Sequence, residues 1–168
     1  MKSKNLIAIV GPDKIGKSSS IVCLFNTLKS MKNVEVRDIL YPKVGKIRSD
    51  VVAIVNMKTD NKQDIVLGII SLGDVDKVVF DYINQLLEKK CDTIIFACHQ
   101  NFMDNNTYTN YFKSKGYNYI TTSSLHNNYS PRVAITHSDN KDYSHVGNVD
   151  LNSVFSENMI YLLNQLYK

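Results

Sequence analysis

Asn5-Leu6-Ile7-Ala8-Ile9-Val10 runs without a break into Gly11-Pro12-Asp13-Lys14-Ile15-Gly16-Lys17-Ser18-Ser19. Leu6 to Val10 are all apolar, the pattern of a central strand covered on both faces rather than one half in water. Beyond the turn, Ile21, Leu24, Phe25 and Leu28 recur at helical spacing, so the apolar surface passes from a strand to an amphipathic helix. A buried strand, a turn bracketed by glycines and a helix, in that order, open an α/β domain.

Working outward, the same alternation continues. Val34 to Leu40 reads as a second strand and Tyr41 to Asp50 as a polar loop. Val51 to Lys58 and Gln63 to Leu72 are strand-like runs separated only by the turn formers Thr59-Asp60-Asn61-Lys62, which predicts a hairpin. Val75, Val78, Val79, Tyr82, Ile83, Leu86 and Leu87 make the stripe of a second helix, followed by the buried strand Thr93 to Cys98. A shorter helix across Tyr108, Tyr111 and Phe112 ends at Gly116, placed as a C-terminal cap, before a sixth strand at Tyr117 to Thr121. Residues 122–148 are polar, carry Pro131 and Gly147, offer only Arg132 to Thr136 as a short strand, and read as a lid-like excursion. Leu151, Val154, Phe155, Met159, Leu162, Leu163 and Leu166 then form the apolar face of a terminal helix with Asp150 or Asn152 as its cap. The expected fold is α/β in three layers, a mostly parallel sheet with one β-hairpin and helices on both faces, in a single domain over residues 1–168.

Composition narrows the function classes. With 43% hydrophobic and 21% charged residues among 168, the chain has an ordinary globular balance and not that of a disordered tail. No apolar run reaches the roughly 20 residues of a membrane span, and Leu6 to Val10 is too short for the core of a signal peptide. Cys23, Cys91 and Cys98 are an odd number without paired metal spacing, so reduced thiols and a cytoplasmic protein are expected. The net charge of +4 is mild and gives no clear nucleic-acid or membrane signal.

The chemistry lies at the first strand-to-helix turn. Gly11 to Ser18 fits G-x-x-x-x-G-K-[ST] at every fixed position. Glycines at both ends permit backbone conformations and close approach that a Cβ would obstruct. Backbone amides can then face phosphate oxygens at the positive end of the helix. In this Walker A motif the chain resembles the P-loop NTPases, and in its short α/β build a small kinase-like member. The resemblance implies ATP and Mg²⁺ as cofactors, with residues Gly11, Pro12, Asp13, Lys14, Ile15, Gly16, Lys17, Ser18 and Ser19 around the phosphates. Lys17 would hold the β- and γ-phosphates, and Ser18 would put its hydroxyl on the magnesium.

A second landmark is expected, an acid at a strand end beside the turn. Val78-Val79-Phe80-Asp81 has the letters of such a strand, but its apolar residues belong to the second helix; Asp92 precedes its strand and lies at the wrong edge. Asp74 ends the run from Ile65 at the ligand-binding edge if that strand is parallel to the first, which makes it the expected metal-organising and catalytic acid alongside Ser18 and Lys17. It also stands where the second helix needs an N-cap, with Ser71 completing a capping box. Asp50 and Asp38 come next. Asn61-Lys62-Gln63-Asp64 spells a guanine signature, yet falls in the hairpin turn at the far edge, so adenine is expected.

Lys43, Lys46 and Arg48 gather in the polar loop on the P-loop edge and suit a small anionic acceptor. Arg132 is the expected lid arginine for transferred phosphoryl charge, and His99 ends its strand at the same edge. Two functions follow from the resemblance and these placements. One is magnesium-dependent phosphoryl transfer from ATP to an acceptor, or slow hydrolysis; the other is a nucleotide-dependent switch for a protein partner. No glutamate stands next to Asp74, which argues for slow turnover.

Overall fold

A computed structural model describes residues 4–12, 16–42, 50–121 and 151–168, of 151–154 the backbone only. The apolar run becomes the buried strand β1 (Asn5–Val10), and its side chains divide by the two-residue period of a strand. Ile7 and Ile9 face a core shared with α1 (Lys17–Ser30) and with Phe155, Met159 and Leu163 of α5 (Leu151–Leu166). Leu6, Ala8 and Val10 face a second core with Val79, Ile83 and Leu86 of α2 (Asp76–Glu88). Phe102 of α3 (Gln100–Asp104) and Phe112 of α4 (Asn106–Ser114) join that second core. Helices therefore cover both faces of the sheet.

The remaining strands are β2 (Val34–Tyr41), β3 (Val52–Lys58), β4 (Asp64–Ile70), β5 (Thr93–Cys98) and β6 (Asn118–Thr121). Across the sheet the order is β2-β3-β4-β5-β1-β6. The expectation of a mostly parallel sheet is corrected, because the sheet is mixed. β3 runs antiparallel to both β2 and β4, while β4, β5, β1 and β6 are mutually parallel, and the paired residues divide about evenly between the two kinds. The cause is connection length: β2 to β3 and β3 to β4 are joined by fewer residues than the crossover of about a dozen that a parallel pair requires.

The hairpin at 59–63 forms as expected, closed by Thr59 N to Gln63 O at 2.9 Å and by Lys62 in the left-handed region at φ 63°. Gly116 ends α4 at φ 80° as its sequence position predicts, with Tyr117 N donating to Phe112 O at 3.2 Å. The short helix α3 is an addition to the sequence reading. The excursion at 122–148, Asp150 and the side chain of Asn152 lie outside the described residues.

Because β4 and β5 are parallel to β1, the residues that follow all three emerge at one edge. That edge carries Gly11, Ser71 to Asp74, and His99.

Candidate phosphate-binding site

The turn after β1 is tied to its neighbour by Gly11 N, which donates to Cys98 O at 3.3 Å. Gly16 caps α1 at φ 95°, ψ 13°, and its carbonyl accepts from Ser20 N at 2.9 Å. A Cβ built there would meet nothing within 4 Å, so the demand for glycine comes from the left-handed backbone alone. No side chain caps α1 and no acid sits in its first turn, so the orphan amides and positive pole of its first turn have no side-chain anion from this helix.

Lys17 is the first residue of α1 and is 5% exposed. Its ammonium donates to Gly11 O at 2.7 Å and Pro12 O at 2.6 Å, folding back across the mouth of the turn. Ser18 Oγ donates to Ser71 O at 2.8 Å. A hydroxyl has one proton and two lone pairs, so this bond leaves the Ser18 oxygen able to ligate a cation.

Ser71 is fully buried and connects the site to a second acid. Its hydroxyl accepts from Val51 N at 2.8 Å and donates to Asp50 Oδ1 at 3.0 Å. Asp50 and Asp74 line a cleft of about 790 Å³ together with Ser18 and Ser19, and the cleft continues along α1 past Cys23 and Asn26. Gly73 holds this corner close to β5: a Cβ on it would lie 2.8 Å from Ala97 Cβ and 3.1 Å from the Ala97 carbonyl.

Of the expected site residues, Gly11, Pro12, Gly16, Lys17, Ser18, Ser19 and Asp74 share this edge. The capping role expected of Asp74 is corrected. The N-cap of α2 is Val75, in extended backbone at φ −127° and ψ 110°, with no side-chain cap bond. Ser71 is committed to Val51 and Asp50, so the capping box does not form, and Asp76 supplies the acid in the first turn. Asp74 stands exposed at a bend instead.

Asp81 is exposed on α2, and Asp92 accepts from Val66 N at 2.9 Å at the opposite edge. Asp38 is exposed on the edge strand β2. His99 is the N-cap of α3, its carbonyl accepting from Phe102 N at 3.1 Å. Asp13, Lys14, Ile15, Lys43, Lys46, Arg48 and Arg132 lie outside the described residues.

Sequence reasoning gave Ser71 to a capping box instead of to Asp50 and Val51, and ranked Asp50 behind Asp74. The signal was faint: a serine at the end of an apolar run, and an acid just ahead of one, which antiparallel pairing of β3 with β4 brings together.

Burial pushes the Cys98 thiol up to about 12, with Lys17 pulling it down and Asp76 adding to the rise. This thiol beside the turn therefore stays neutral. Among the described residues, no three His, Cys, Asp or Glu side chains gather around a metal position. The oxygens of Ser18, Asp50 and Asp74 suit a hard cation that takes one or two carboxylates and completes its shell with waters and phosphates, the habit of Mg²⁺. Compared with family models, with curated proteins and with solved structures, the chain matches none.

Proposed function

We propose that the chain is an ATP-binding protein of the P-loop type that carries out magnesium-dependent phosphoryl transfer to an acceptor, or slow hydrolysis. The observation that carries this reading is the position of Lys17, a nearly buried ammonium at the head of α1 resting on two carbonyls of the turn. A lysine so buried needs partners of opposite polarity. The carbonyl oxygens of Gly11 and Pro12 supply partial charge, and phosphate oxygens would supply full charge, so Lys17 would pivot onto them.

Ser18 would turn a lone pair to the magnesium while keeping its proton on Ser71 O. Asp50, fixed through the Ser71 hydroxyl, and the exposed Asp74 would hold the waters of the ion or orient the attacking group. When bound, the metal neutralises charge that develops on the phosphoryl oxygens. Adenine is favoured over guanine because Asn61 to Asp64 occupies the β3–β4 turn and the start of β4, at the edge away from Lys17. Lys43, Lys46 and Arg48 remain the residues proposed to receive an anionic acceptor, and Arg132 the arginine proposed for transferred charge.

The test is product analysis after incubation with Mg²⁺ and γ-labelled ATP, with and without a panel of phosphorylated and hydroxylated acceptors. Label appearing in an acceptor supports transfer, and label in inorganic phosphate at a slow rate supports hydrolysis. Label remaining entirely in ATP would overturn both.

A further inference from the structure

A second cleft, of about 770 Å³, lies at the opposite edge of the sheet, where β1, β5 and β6 begin. Its chemistry differs from that of the first. Lys4, Lys90 and Lys115 are the lysines of its lining. Two of them rest over aromatic rings, Lys4 at 5.4 Å from the Tyr117 centroid and Lys115 at 5.4 Å from that of Tyr111. Such ring contacts hold a cation in place without neutralising it. Glu88 and Asp92 are the carboxylates of the lining, and Asp92 is engaged in the sheet through Val66 N.

The wall formed by α2 supplies an independent observation. Asn84 lines this cleft, and its Oδ1 is buried without a hydrogen-bond partner. Native proteins leave few buried acceptors unsatisfied, because desolvating one without a donor is unfavourable. That oxygen has almost no accessible surface of its own, so a donor in the cleft reaches it only as the Asn84 amide turns outward.

We infer that this cleft binds a small phosphomonoester carrying a hydrogen-bond donor, a sugar phosphate or a nucleoside monophosphate, with the lysines on the phosphate and Asn84 Oδ1 on the donor. The inference shares no residue with the site around Lys17 and stands or falls separately from it.

The test is calorimetric titration of the full chain with ribose 5-phosphate, AMP and inorganic phosphate. Two variants accompany it: the exposed pair Lys90→Gln with Lys115→Gln, and Asn84→Leu. The expected result is one saturable site for at least one ester, weakened tenfold or more in each variant, with inorganic phosphate binding more weakly. Affinity should rise from pH 5 to 7.5 as the phosphate loses its second proton near pH 6. Asn84→Leu should melt no lower than wild type, since the acceptor it removes has no partner to lose. Which ester binds more tightly separates a sugar phosphate from a nucleotide. Absence of saturable binding by either ester overturns the inference, as does undiminished binding in the lysine pair. Ester binding unchanged in Asn84→Leu, with inorganic phosphate equally tight, overturns the role of the donor. Because both lysines are exposed, the paired variant remains informative even if Asn84→Leu folds poorly.

Discussion

Lys17 carries a full charge at 5% exposure and offsets its lost hydration with two short bonds to carbonyls. Replacing it with alanine removes both the charge burial and the bonds, two changes of opposite sign. Lys17→Ala should therefore keep its unliganded melting temperature within about 4 °C of wild type. It should lose most of the stabilisation by MgATP, about 2.7 kcal/mol at a hundredfold excess over Kd. Thermal melts with ATP and GTP check this, and a GTP shift as large as that of ATP would refute the adenine assignment. Ser71 makes the converse case, because it is a neutral, buried side chain whose hydroxyl both accepts a bond and donates one. Ser71→Ala leaves Val51 N and Asp50 without their hydroxyl partner and should cost about 1–3 kcal/mol in urea unfolding. Asp74, exposed and not a cap, should tolerate both Asn and Ala within about 0.5 kcal/mol. Turnover in either Asp74 variant should nevertheless fall at least about tenfold, about 1.4 kcal/mol of barrier. Unchanged turnover would pass the role to Asp50.

Among the elements, those with a strong period were legible from sequence. Leu6 to Val10 and Thr93 to Cys98 have no polar interruption, and Val79, Ile83 and Leu86 keep one helical face. The antiparallel pairing of β2 with β3 was not legible, because strand direction is decided by the connection and not by the alternation of side chains. Helix α3, at five residues, is too short to show a period. The cap of α2 was misread because Asp74 had the right chemistry, while the backbone kept Val75 extended and began the helix at Asp76. The link from Ser18 through Ser71 to Asp50 joins segments distant in sequence, and no local pattern announces it. Two glycines test how the elements fix this corner. Gly73→Ala would drive its Cβ into Ala97 and push the end of β4 from β5, with an expected loss of about 1–3 kcal/mol and a smaller MgATP shift. Gly16→Ala meets open space, so its expected loss of about 1–2 kcal/mol comes from the left-handed backbone only. Equal unliganded stability of wild type and Gly73→Ala would argue against the close approach.

Taken as a molecule, the chain has two apolar cores on the two faces of one mixed sheet, and among the described residues no helix is long and apolar enough to cross a membrane. Burial sets its response to alkali. Cys91, Cys98 and Tyr117 are each pushed up to about 12, so the unfolded chain loses these protons first as pH rises. The stability they contribute is complete below about pH 8.5, the ordinary thiol value, and is lost progressively toward pH 12. Urea midpoints should fall from pH 8 to pH 10.5, and less steeply in the Cys91→Ala, Cys98→Ala double variant; parallel slopes would contradict this cause. At neutral pH the partly exposed Cys23 should react with a thiol reagent while the two buried cysteines wait for denaturant. The ligand side of the molecule rests on the turn from Gly11 to Ser18. Calorimetric titration of MgATP into the wild-type chain and into Lys17→Ala should give one saturable site in the first and at least about a hundredfold weaker binding in the second, about 2.7 kcal/mol. No saturable heat in the wild type, or equal affinity in the two proteins, would contradict the assignment of this turn as a nucleotide site.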